Sequence, residues 1–282
     1  MFRVCMHRLK GVALSWRSFV ALILGIAVII LCEMPLYEFA QNVGKPLGTM
    51  EGFIYFSCDE VMLTAAFAPL IFMVSDVPVT GGGEIYTVLR VSRKKWIIGN
   101  VLYLAVVCSI YYLIIMIAGM IFMADNAYMA DFWSEPVYYL TKRIDFGDTS
   151  VYFPYDSLLR WSPLQCLMAG YFLCVGYAFL MSMALMLFNI ILSRAVGYLP
   201  IILIHAVGYT LSLAIFSRKT EKFSLFANSL LMKHSVAGNS QSGYLTLWQT
   251  FLVYAVLAVL LLALNLHAVK RYDFKTMIGE KV

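Results

Sequence analysis

The chain has 282 residues, 62% of them hydrophobic and 13% charged, with a formal net charge of +5 and a mean hydropathy of +0.81. A soluble domain carries about 25% charged residues, so this chain has too few charges to coat a water-facing globule of its size. That excludes a wholly soluble protein and makes lipid the solvent over much of the surface.

Residues 2–17 read as a basic amphipathic helix. Phe2, Met6, Leu9, Ala13 and Trp16 share one face, Arg3, Lys10 and Arg17 lie beside it, and His7 and Arg8 lie further round. Such a helix is expected to lie in the membrane interface, apolar side down. The basic start and the apolar run Phe19–Leu31 partly resemble a signal peptide, but no A-x-A-like site follows. The run is read as a retained first span.

Apolar runs of about 18 or more residues read as membrane-crossing helices. Six candidates follow in order: Ser18–Tyr37, Ser57–Asp76, Trp96–Met123, Leu164–Leu192, Val196–Phe216 and Tyr244–Val269. They are too long, and too apolar all round, for strands of a β-barrel. The expected fold is therefore all-α: a single transmembrane domain over residues 1–282 with six transmembrane helices and an N-terminal interfacial helix. The second span is unusual. Its clean apolar stretch, Val61–Val74, covers only about 21 Å, which draws Asp59 and Glu60 towards the outer leaflet. They read as an acidic pair at the rim or, alternatively, as the lining of an outward cavity that meets a cationic substrate.

The cations set the orientation. With a cytoplasmic N-terminus, the inner segments hold thirteen Lys and Arg against four Asp and Glu, and the outer segments eight against twelve. A multi-pass protein of the plasma membrane with both termini cytoplasmic follows. The net positive charge is a topology signal, so no nucleic-acid partner is inferred. Residues 124–163 and 217–243 become outer loops. The first carries ten aromatic residues and is expected to pack on itself or in the headgroup zone. The second contains "FSLFANSLLMKHS", an interfacial or re-entrant piece.

Chemistry-bearing motifs are absent from the sequence. There is no G-x-x-x-x-G-K-[ST], no H-E-x-x-H and no G-x-S-x-G. His7, His205, His234 and His267 are scattered, so no catalytic residue and no metal site is assigned. The six cysteines show no C-x-x-C spacing and read as lone buried thiols, with Cys58 and Cys166 the pair to expect if any were oxidised. Gln165, Asn189, His205, Asn265 and His267 are the polar residues noted inside spans. Interhelical hydrogen bonding is their commoner role, and His205, midway along the fifth span, is the candidate to test for a substrate path. Ala169, Gly170, Gly176 and Ala178 are small enough to allow close helix approach.

The segment "GGGEIYTVLRVSRKKWIIGN" (residues 81–100) stands apart. A glycine hinge, Gly81–Gly83, leads into a helical pattern over Glu84–Trp96, with Ile85, Val88, Leu89 and Trp96 on one face. Arg90, Arg93 and Lys94 lie mainly elsewhere. The cations anchor the third span on the inside, but a turn between spans needs far fewer residues than the roughly twenty between Asp76 and Trp96.

Here the sequence resembles the permeases of type-2 ABC exporters. Glu84, Thr87, Leu89, Ser92, Arg93 and Gly99 fit that family's recurring pattern between its second and third spans, while Asn100 stands where Lys is usual. The layout is similar too, with an interfacial N-terminal helix, six spans and a partly re-entrant segment before the last. The resemblance implies that residues 77–95 hold a cytoplasmic coupling helix, with Glu84, Thr87, Leu89, Arg90, Ser92, Arg93 and Lys94 docking on a separately encoded ATPase. It also implies a second permease subunit, alike or different, and ATP with magnesium bound by the partner ATPase and no cofactor bound by this chain. Asp59, Glu60 and His205 remain the possible substrate path. The alternatives are an ATPase-independent secondary carrier, and a membrane-embedded enzyme or assembly factor.

Overall fold

The computed structural model describes residues 2–13, 15–78, 91–142, 161–192, 196–213, 221–234 and 245–271. These are mostly helical. The long elements are α2 (Trp16–Val43), α5 (Arg93–Met123), α7 (Pro163–Ile191) and α9 (Leu247–Arg271). Four helices are thus long and apolar enough to cross a membrane, and a fifth crossing is counted if a bent pair is one span. The bent pair is α3 (Glu51–Cys58) and α4 (Glu60–Val74), which meet at 90°. The remaining helices are short: α1 (Phe2–Ala13), α6 (Glu135–Thr141) and α8 (Tyr198–Ser212).

Two of the expected spans differ from expectation, the second for an identifiable reason. The second breaks because Asp59 adopts an extended conformation and caps a new helix, its Oδ1 accepting from the amides of Val61 and Met62 at 2.8 Å each. An aspartate in that position satisfies the open amides of the next helix better than it continues the previous one. The fifth is described as a helix of 15 residues, about 22 Å long, which is shorter than the hydrocarbon core of about 30 Å.

The first helix ends at Ala13, and Trp16 begins α2, with Ser15 as N-cap accepting from the Ser18 amide at 3.2 Å. Residues 2–17 are therefore not one helix. Its packing also differs from the expected stripe. Val4, Cys5 and Arg8 are buried, whereas Met6 is exposed, because α1 lies against α5 and that face is the one covered.

α7 is the hub, with 72% of its apolar window buried against 17% for α9. It begins with a capping box: Ser162 and Gln165 exchange side-chain-to-backbone bonds, and Pro163 occupies the first turn. Gln165 is thus a cap and not a polar group within the bundle. Small residues on this hub let neighbours approach as expected. A Cβ on Gly176 would lie 2.7 Å from Tyr254 of α9, and one on Gly170 would lie 2.7 Å from the Ser57 hydroxyl of α3. Asn265 of α9 donates to the Met183 carbonyl at 3.2 Å, and Asn189 donates to the carbonyls of Ser75 and Val77 at 2.9 and 2.6 Å. Both asparagines join helices, the commoner role for polar side chains in such bundles.

The two ends of the bundle differ in character. The basic end gathers the starts of α2 and α5 and the finish of α9. At the opposite end a two-residue parallel bridge, Leu47–Gly48 with Ala127–Tyr128, ties the segments that follow α2 and α5. Part of residues 124–163 packs there on the segment that follows α2: Glu51 is buried and accepts from the Gly48 amide and from the amide and hydroxyl of Ser134. All six cysteines are free and buried, so Cys58 and Cys166 are not bridged.

Candidate functional site: a cavity between the short helices and a tie at the basic end

α4 and α8 flank a half-open cavity of about 600 Å³ that reaches the start of α2. Phe67, Ala68 and Ile71 of α4 face Ile201 and Ile202 of α8 across it. His205 and Thr64 mark one end, and Arg17 and Asp76, joined as an ion pair, mark the other. Arg17 also lies over the Phe72 ring at 5.7 Å. Apolar walls with a few polar groups at the ends suit a largely apolar or amphipathic molecule.

His205 is held from four sides. Nδ1 is 2.7 Å from the Tyr177 hydroxyl of α7, and Nε2 is 3.3 Å from Thr64 Oγ1. Its ring stacks on Phe67 at 4.5 Å and meets the edge of Phe226 at 4.9 Å. With both nitrogens engaged, the imidazole closes the end of the cavity by shape and fixes α4, α7 and α8 to one another. Among the described residues, no group of three His, Cys, Asp or Glu side chains is placed to hold a metal ion.

Asp59 and Glu60 are not among the residues lining this cavity. Asp59 is spent on the helix cap. Glu60 faces a cation of the chain itself: Lys233 Nζ lies 3.3 Å from Glu60 Oε1, 3.4 Å from Glu221 Oε2 and 2.9 Å from the Ser212 carbonyl. This cluster joins the segment 221–234 to the start of α4 and the end of α8. Beside it, His234 spans the carbonyls of Asn228 and Leu245 at 3.0 and 3.2 Å, and burial pulls its pKa below the usual histidine value.

Of the expected docking residues, Glu84, Thr87, Leu89 and Arg90, with the Gly81–Gly83 hinge, lie outside the described residues. Ser92 precedes α5, and Arg93 and Lys94 belong to its first turn. The basic cluster therefore starts a helix, where the macrodipole disfavours cations. Arg93 resolves the conflict by reaching α9, where Nη1 donates to the carbonyls of Val269 and Lys270 at 3.3 and 3.0 Å.

Three features were missed at the level of sequence: the Arg17–Asp76 pair, the Lys233 cluster and a fully buried glutamate in α2, Glu33. Only the last had a local signal, as the one acid within the run "ALILGIAVIILCEMPLY". The chain matches no protein-family model, no curated protein and no solved structure.

Proposed function

We propose that this chain is the transmembrane subunit of an ATP-driven exporter, crossing the plasma membrane six times with both termini in the cytoplasm. It pairs with a second permease subunit around the substrate path and takes its energy from a separate ATPase that docks on residues 84–94. The bent pair α3–α4 and the short helix α8 supply the second and fifth crossings.

The observation that carries this reading is the Arg93 tie. The proposed docking residues precede or open α5 in the chain, and the guanidinium at the start of α5 donates to the Val269 and Lys270 carbonyls of α9. A push on those residues is thereby shared between two long apolar helices, which is what a device for transmitting force from a soluble motor requires. The cavity between α4 and α8 supports a path for an apolar or amphipathic cargo.

Because Arg93 already anchors α9, changing it tests stability as well as docking. Leu89→Glu with Arg90→Glu is the cleaner probe. The tagged chain is purified in mild detergent, and its companions are identified in wild-type and variant forms. An ATPase that accompanies the wild type and is lost with the variant supports the reading, and absence of any ATPase even after cross-linking overturns it. A secondary carrier is the competing reading, favoured by the buried Glu33. Transport that continues without nucleotide and stops when the proton gradient is abolished would select it.

A further inference from the structure

Every other buried or half-buried acid described above has a partner. Asp59 holds two amides, Glu51 three donors, Glu60 and Glu221 share Lys233, and Asp76 holds Arg17. Glu33 differs. Its side chain is 0% exposed, and neither carboxyl oxygen has a hydrogen-bond partner among the described residues. It lies where α2, α3 and α5 meet, and the fit depends on two glycines. A Cβ on Gly52 of α3 or on Gly119 of α5 would overlap Glu33 Oε1, and Met123 Sδ closes the same corner.

Titratable groups near this corner include Cys32 beside it on α2, Glu51, Tyr55 and Cys58 on α3, and Asp59 at the end of α3. Beyond α5, Asp125 accepts from the Tyr37 hydroxyl of α2 at 2.7 Å. None of these is a cation. An ionised carboxylate removed from water with neither a counter-charge nor a donor is far costlier than a neutral acid of the same size. Isolated charges inside membrane bundles are rare for that reason, and those found there commonly belong to proton or ion pathways.

We propose that Glu33 is a proton-binding site. Its carboxyl holds a proton while α2, α3 and α5 are closed around it, and releases the proton to water when α3 moves away. α3 is the element able to do this, since it is short and meets α4 at a right angle through Asp59. Closing the corner and taking up one proton are then a single linked event. The inference goes beyond ATP-driven transport and does not depend on it.

Infrared spectroscopy of the full-length chain in liposomes provides the test, with wild type compared to Glu33→Gln, Glu33→Met and Gly119→Ala at neutral pH. The wild type should show the carbonyl stretch of a protonated carboxyl group. Glu33→Gln and Glu33→Met should each lose one carboxyl's share of that band and leave the carboxylate bands unchanged. Gly119→Ala, which pushes a methyl group against Oε1, should move intensity from the protonated band to the carboxylate bands. A wild type without a protonated-carboxyl band overturns the proposal whether or not any variant folds. So does a folded Glu33 variant that loses carboxylate intensity instead. A full protonated band in folded Gly119→Ala overturns the link to closure.

Discussion

Lys233 offers the sharpest test of how the end opposite the basic cluster is held together. Its ammonium group is nearly buried, with two carboxylates at 3.3 and 3.4 Å and a carbonyl at 2.9 Å. At an effective dielectric constant of about 20, each charge pair at such distances attracts by about 5 kcal/mol, most of it offset by the desolvation of the three ions. Lys233→Met removes the attraction and leaves Glu60 and Glu221 facing each other, with side-chain exposures of only 16% and 4%. Breaking a buried ionic group in this way typically destabilises by about 3–5 kcal/mol. For a chain of this size that corresponds to a fall in melting temperature on the order of 10 °C. Thermal unfolding in detergent micelles, followed by the fluorescence of the five tryptophans, measures it. The double variant Glu221→Gln/Lys233→Met should recover more than half of the loss, because the surplus negative charge is gone. A Lys233→Met variant that melts within about 2 °C of wild type, a shift of under about 1 kcal/mol, would refute the reasoning, and so would a double variant no better than the single one.

Three further outcomes are expected. Arg93→Ala should lower stability by about 1–2 kcal/mol, the value of charge-assisted bonds at a partly exposed helix terminus, and should raise amide exchange selectively in the last turn of α9. Gly176→Leu should force Tyr254 away and weaken the α7–α9 contact by about 1–3 kcal/mol, read as faster exchange along α9 with α7 unchanged. His234 gives a pH signature. Burial depresses its folded pKa, so above the ordinary histidine value of about 6.5 both states are neutral and stability is full. As pH falls below that value, the unfolded chain takes up a proton that the folded chain refuses, and stability is lost. His234→Gln should therefore flatten the decline in melting temperature between neutral and mildly acidic pH; an unchanged slope would exclude His234 as its source.

The long helices were legible from composition alone, because runs of apolar residues longer than the bilayer leave little choice of structure. The breaks were not. Asp59 and Glu60 read as one acidic pair, yet the first turns the chain by capping a helix and the second pairs with a lysine 173 positions away. Nothing near residue 60 announces Lys233, since ion pairs between distant segments are a property of the packed bundle. Arg93 read as the far end of an amphipathic helix because its spacing continued that pattern; its role at the α9 terminus depends on which helix ends lie side by side. Glu33 was overlooked because averaging over a window hides one acid among many apolar residues. Ser162 and Gln165 do carry a readable signal, the spacing of a capping box, but Gln165 adjoins an apolar run and by composition alone reads as part of the span.

The contrast between a deeply covered α7 and a largely lipid-facing α9 bears on biogenesis. α9 follows the other described helices in chain order, and its hold on them includes a glycine notch, bonds from Asn265 and Tyr254 to the Met183 and Leu225 carbonyls, and the Arg93 clasp. These partners lie on segments made earlier, so the helices that precede α9 can settle together before it docks. The clasp then works as a closure, joining the beginning of α5 to a helix synthesised well after it. A chain stalled before residue 247 would expose the Gly176 notch to lipid, and quality control has there a surface that distinguishes an unfinished molecule from a finished one.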